Sequence, residues 1–134
     1  MTVRHVPRGD VPQAVRRAAD AAVKEAAREL RLAVPSIRWV DVDDGRAGWV
    51  EIEIDRSGNG PGQIFLSASL LVSEVAAWAT HEVRHLWQDR ESRYLGDRAG
   101  AEDDAESYAV RKTGRSVGLP YYLRRYQRAD RLRG

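Results

Sequence analysis

The chain has 134 residues, 43% of them hydrophobic and 31% charged, which fits one globular domain around one core. It contains no cysteine, so disulfides, thiol catalysis and thiolate metal sites are excluded, and any bound metal must use histidine and carboxylate ligands. The net charge of +2 conceals an acidic body, 14 Lys+Arg against 19 Asp+Glu over 1–109, and a basic end, 8 against 1 over 110–134.

Asp10-Val11-Pro12 reads as a helix start, with a capping Asp and Pro in the first turn. Val15, Ala18, Ala19, Ala22, Val23, Ala26 and Leu30 then recur at helical spacing to about Leu32, and Pro35 ends the run. Strands are expected over 37–42 and, after the turn signal Asp43-Asp44-Gly45, over 49–55, where apolar and acidic residues alternate. Residues 57–62 form a Gly-rich loop, and 63–69 a third strand. A helix runs from Leu70 or Glu74 to Glu91, and another from Ala101 to about Thr113, closed by Gly114. The expected fold class is α+β: an N-terminal helix, a small, mostly antiparallel sheet of three strands, two further helices and a basic C-terminal helix or tail. Residues 1–118 make the domain, and 119–134 extend from it or pack on it. No run approaches the roughly 20 apolar residues of a membrane span, and no signal segment is visible, so a cytoplasmic setting without membrane contact is expected.

The most informative segment is His81-Glu82-Val83-Arg84-His85. Two histidines four apart on a helix lie about 40° apart around its axis, so both rings point to one side. Neutral imidazoles are good zinc ligands, and a pair of them leaves room for a third protein ligand and a water. Zinc lowers the pKa of such a water toward about 7, and a neighbouring carboxylate, here Glu82, can accept its proton. This is the HExxH pattern.

The third ligand must come from elsewhere, because only His5 remains, and it is expected to be a surface residue. In the metzincin pattern a glycine ends the helix and a ligand follows. Those positions are Gln88 and Glu91 here, and without the glycine the helix carries Glu91 away from the site. The acidic run Glu102-Asp103-Asp104-Ala105-Glu106 is the better source. Glu102 and Glu106 share a helix face, and Ala105 and Ala109 beside them permit close approach to the histidine helix. Glu102 suits a ligand, with Asp103 or Glu106 as alternatives. Glu106 is placed to accept an N–H from a ligand histidine. The same acids in a helix's first turn would also complement its dipole.

His81-Glu82-Val83-Arg84-His85 followed by Glu102 to Ala109 resembles the gluzincins, zinc metallopeptidases with a glutamate on a later helix. The small size and few strands resemble the minigluzincins, minimal thermolysin-like catalytic domains. The resemblance runs loosely from 37 to 113. It implies a zincin-like fold, Zn2+ held by His81, His85 and Glu102, Glu82 as general base and acid, Glu106 behind a ligand histidine, and a peptide or protein substrate. It further implies that the strand at 63–69 rims the cleft and pairs with extended substrate. Tyr94, Tyr108, Tyr121 and Tyr122 have the chemistry of an oxyanion donor. Trp39, Trp49, Trp78 and Trp87 are expected as core anchors. The arginine-rich tail with Tyr121, Tyr122 and Tyr126 is expected to dock on the acidic body in preference to nucleic acid. The competing readings are a metal-bound partner-binding module without proteolysis, and a basic nucleic-acid-binding protein.

Overall fold

The computed structural model describes residues 3–42, 48–51 and 62–117. The basic tail, most of the loop at 57–62 and the far half of the expected strand at 49–55 lie outside the described residues. The architecture is α+β. Strand β1 (Val3–His5) leads through a 3-10 turn at Arg8–Asp10 to helix α1 (Gln13–Leu30). Strands β2 (Ser36–Val42), β3 (Gly48–Glu51) and β4 (Gln63–Ser67) follow, then helices α2 (Val72–Arg90) and α3 (Arg98–Thr113). No helix among the described residues is long and apolar enough to cross a membrane.

Helix α1 starts one residue after Pro12, and Asp10 sits in the preceding 3-10 turn and does not cap it. Its buried residues Val15, Ala19, Val23, Ala26, Ala27 and Leu30 make one apolar stripe. Arg31 ends the helix in the left-handed region at φ 56°, and the Leu32 N–H returns to the Ala27 carbonyl at 2.9 Å. The Arg90 guanidinium donates to the Leu30 and Arg31 carbonyls at 2.8 and 2.5 Å, so the end of α2 satisfies the end of α1.

Among the described residues the sheet has four strands in the order β1-β2-β4-β3. The extra strand is β1, which pairs antiparallel with β2 from Val3↔Val42 to His5↔Val40 and uses residues whose short length gave no sequence signal. Strands β2 and β4 run parallel from Ser36↔Gln63 to Val40↔Ser67, and β3 joins β4 antiparallel from Gly48↔Leu66 to Glu51↔Gln63. Strand β4 is therefore paired on both sides. Its burial of Ile64, Phe65 and Leu66 in succession is what a central strand requires. This corrects the expectation that 63–69 receives substrate as an added strand: β4 has no unpaired edge to offer.

Helix α2 is the middle of the molecule. Val75, Ala79, Val83 and Leu86 pack with Ile64 and Leu66 of β4, Trp39 of β2 and the α1 stripe in one core. Trp39 and Trp78 are buried in it, and Trp87 packs at its edge. Helix α3 begins at Arg98, three residues earlier than expected. The Asp97 side chain caps it by accepting the Gly100 N–H at 2.9 Å. Gly114 closes it with φ 73°, a conformation that costs other residues energy.

Leu66→Ala at the fully buried centre of β4 is expected to lower the unfolding free energy by about 2–5 kcal/mol in denaturant titration, whereas Leu95→Ala at an exposed site should change it by less than about 0.5 kcal/mol. Equal effects at both positions would contradict β4 as the core strand.

Candidate metal centre

Two helical turns of α2 carry Thr80, His81, Glu82 and Gln88 into the interior. A buried polar side chain costs free energy unless it finds partners, and here α3 supplies them. Ala105 and Ala109 on α3 are fully buried, and these small residues let the two helices approach.

The ring nitrogens of the two histidines converge. His81 Nε2 and His85 Nε2 are 3.1 Å apart, and the rings meet edge to face with centroids at 4.8 Å. The Glu102 carboxylate closes the triangle, with Oε2 2.8 Å from His81 Nε2 and Oε1 3.2 Å from His85 Nε2. These three residues bring one ligand atom each within 4.8 Å of one another and could hold a metal ion. Two ring nitrogens this close cannot both present bare lone pairs, so a proton on one of them or a cation must sit between them.

The other sequence-derived residues fall at definite places. Glu82 is buried, and the backbone of β3 runs against it: a Cβ on Gly48 would lie 3.1 Å from Glu82 Oε1. Glu106 lies behind His81, with Oε2 3.7 Å from Nδ1, longer than a hydrogen bond. The Val117 N–H donates to both of its oxygens, at 3.2 and 3.3 Å. Asp103 is exposed. Glu91 is exposed at the end of α2 and pairs with Arg90. His5 is exposed on β1. Tyr108 is buried, with its ring beneath the Arg84 and Arg111 guanidiniums, and Tyr94 is exposed. Tyr121 and Tyr122 are outside the described residues. Because α3 starts at Arg98, Glu102 and Glu106 lie beyond its first turn, where the helix dipole no longer accounts for them.

Sequence reasoning missed three residues here. His85 Nδ1 is 2.8 Å from Gln88 Oε1, Gln88 Nε2 donates to Asp104, and Arg84 donates to the same carboxylate. The available signal was spacing, since Gln88 is three residues after His85 on one helix face.

The electrostatics follow from burial opposed by paired charge. Burial disfavours a charged His81, but the Glu102 and Glu106 carboxylates outweigh it and raise its pKa to about 9. His85 is likewise raised, against burial, by Glu102 and Glu82. Burial disfavours a charged Glu102, but His81 and His85 hold it down at about 2. Glu82 is raised by burial, against the pull of His85 and His81.

Without metal, His81 rises from 6.5 to about 9, so its contribution to stability is complete below pH 6.5 and is lost as pH climbs through about 9. Glu102 falls from 4.5 to about 2, so its contribution is complete above pH 4.5 and is lost as pH drops through about 2. Metal has the opposite demand, because it needs unprotonated rings. Binding of a divalent transition metal at pH 7 should release about one proton from His81, seen by calorimetry in buffers of different ionisation enthalpy, and affinity should rise from pH 6 to 9. Binding without proton release would mean that His81 is not a ligand.

No family model, no curated protein and no solved structure matches the chain.

Proposed function

We propose that the chain is a zinc-dependent peptidase of the gluzincin type, with His81, His85 and Glu102 as ligands and Glu82 as general base and acid. The observation that carries this reading is the convergence of two Nε2 atoms and one carboxylate at 2.8, 3.1 and 3.2 Å. A tetrahedral ion with bonds of about 2.0–2.1 Å spaces its ligand atoms by about 3.3–3.4 Å. The observed separations, those from Glu102 being to the two different oxygens of its carboxylate, are close to that spacing. Two imidazoles and one carboxylate, with no thiolate in the chain, make a donor set that suits zinc and leaves a fourth position.

Zinc bound there would polarise a scissile carbonyl and lower the pKa of a water toward about 7. Glu82 does the proton work. Its burial raises its pKa and so makes it a better acceptor near neutrality. It takes a proton from the attacking water and delivers it to the leaving nitrogen. A site without Glu82 could still hold a metal, so this residue separates a catalytic centre from a structural one.

The strand order supports a proposed placement for the substrate. Strand β3 ends the sheet among the described residues, and its Gly48 lies against Glu82. An extended peptide added to that edge would run its main chain past the base, with main-chain hydrogen bonds giving affinity and broad sequence tolerance. Glycine at 48 keeps this strand close, since a Cβ would press on the carboxylate.

Two variants test the reading. Glu82→Gln should keep one metal per chain and lower hydrolysis of an unstructured protein substrate by roughly 10²–10⁴-fold. Metal binding without hydrolysis in either protein would leave a metal-binding module, and no metal in either would sink the proposal. Gly48→Ala should leave metal content unchanged and lower kcat by about tenfold, because a small displacement of the base misaligns the proton transfer. An unchanged kcat would remove β3 from the site.

A further inference from the structure

Gln88 lies one turn beyond His85 on α2 and is buried. The two ends of its amide meet different chemistry. Nε2 lies 2.8 Å from the Ala101 carbonyl oxygen and 2.8 Å from Asp104 Oδ2. A carbonyl and a carboxylate only accept, so the amide nitrogen must be the end that faces them. The reverse orientation would set three oxygens against one another. Oε1 is therefore the end that faces His85 Nδ1, at 2.8 Å, and it can only accept. The His85 ring must then carry a proton on Nδ1, which leaves Nε2 as the nitrogen that can give its lone pair to a metal. That is the nitrogen 3.2 Å from Glu102 and 3.1 Å from His81 Nε2.

The far end of this chain is also set. Asp104 accepts from Arg84 Nε at 2.8 Å and from its NH2 at 3.1 Å. A guanidinium has five donors and no acceptor, so polarity cannot reverse at that end. Arg84 is itself clamped between rings, 3.8 Å from the centre of Trp87 and 4.8 Å from that of Tyr108. Every bond from Arg84 to His85 therefore has one direction of donation.

We propose that Gln88 is a positioning residue for the metal centre: held by Asp104, Arg84 and the Ala101 carbonyl, its amide oxygen fixes the tautomer and ring orientation of His85 so that Nε2 faces the metal. This rests on the reading of His81, His85 and Glu102 as a metal centre. It assigns a role to Arg84, one of the two variable residues inside the His-Glu-Val-Arg-His segment, and to Asp104, two residues after Glu102. It also gives an unusual rule for position 88. A carboxylate is ordinarily the stronger partner for a ligand histidine. Here Gln88→Glu would keep the acceptor toward His85 but turn a second oxygen onto Ala101 and Asp104, so glutamine is the better residue.

The test titrates zinc chloride into the metal-free full chain against a competing chelator at neutral pH, for wild type, Gln88→Met and Gln88→Glu. Both variants should bind zinc more weakly, on the order of 10–100-fold for Gln88→Met. Long-range 1H–15N spectra of the zinc-loaded wild type should show His85 protonated at Nδ1 and coordinated through Nε2. A merely structural Gln88 would not set that spectrum. Tight wild-type binding with unchanged Gln88→Met affinity overturns the role of Gln88 alone. Gln88→Glu binding as tightly as wild type overturns the directional chain through Asp104. If Gln88→Met does not fold, the wild-type spectrum decides, and coordination through Nδ1 overturns the proposal. Absence of zinc binding in wild type overturns the metal reading itself.

Discussion

The contact between α2 and α3 is the constraint on which the rest of the structure depends. Helix α2 buries His81, Glu82 and Gln88 among Val75, Val83 and Leu86. Those polar groups would be strongly unfavourable in an apolar core without partners. Helix α3 answers with Glu102 and Glu106 on one flank of the contact, Asp104 on the other, and fully buried Ala105 and Ala109 between them. The alanines allow the approach, and the carboxylates make it favourable. Helix α3 is thus docked largely by charge and hydrogen bonds, while α1 and the sheet are docked on α2 by apolar packing.

A division of labour follows from these two kinds of contact. The apolar contacts hold α2 as a rigid post between α1 and β4. The polar contacts aim its side chains. His85 is held through Nδ1, His81 faces carboxylates on both ring nitrogens, and Glu82 sits beneath the backbone of β3. Metal sites need this kind of outer support, because ligand orientation and basicity depend on what the ligand's other atoms touch. Without metal, protonated histidines would neutralise the ionised carboxylates, and a bound metal ion would replace those protons.

Much of this was legible in the chain. The α1 stripe, the β2 and β4 runs and the closure of α3 at Gly114 follow local patterns, and local patterns are what sequence displays. The pairing of Glu102 with the histidines was reachable because Glu102 and Glu106 share a helix face beside small residues. Other features had no such signature. Three residues at 3–5 gave no reason to expect a strand, and only the exposed edge of β2 makes them one. Asp10 has the chemistry of a cap, yet the chain turns at Arg8–Asp10 and leaves Pro12 at that place. Gln88 read as a missing glycine of another pattern, and its value as a hydrogen-bond bridge exists only because Asp104 and the Ala101 carbonyl stand opposite it.

Residue order alone dictates the donor types, the helical spacing that points His81 and His85 to one side, and the need for a carboxylate where cysteine is absent. These are properties of residue chemistry and of a helix's own period. Packing of distant segments set the rest: Glu102 stands nearest both histidines, β4 is central and β3 ends the sheet among the described residues, Gly48 meets Glu82, and Gln88 donates to α3 and accepts from His85. The reason is physical. Helix period and residue chemistry act over a few positions of chain, whereas strand order and helix docking are set by the burial and pairing of groups that lie tens of residues apart.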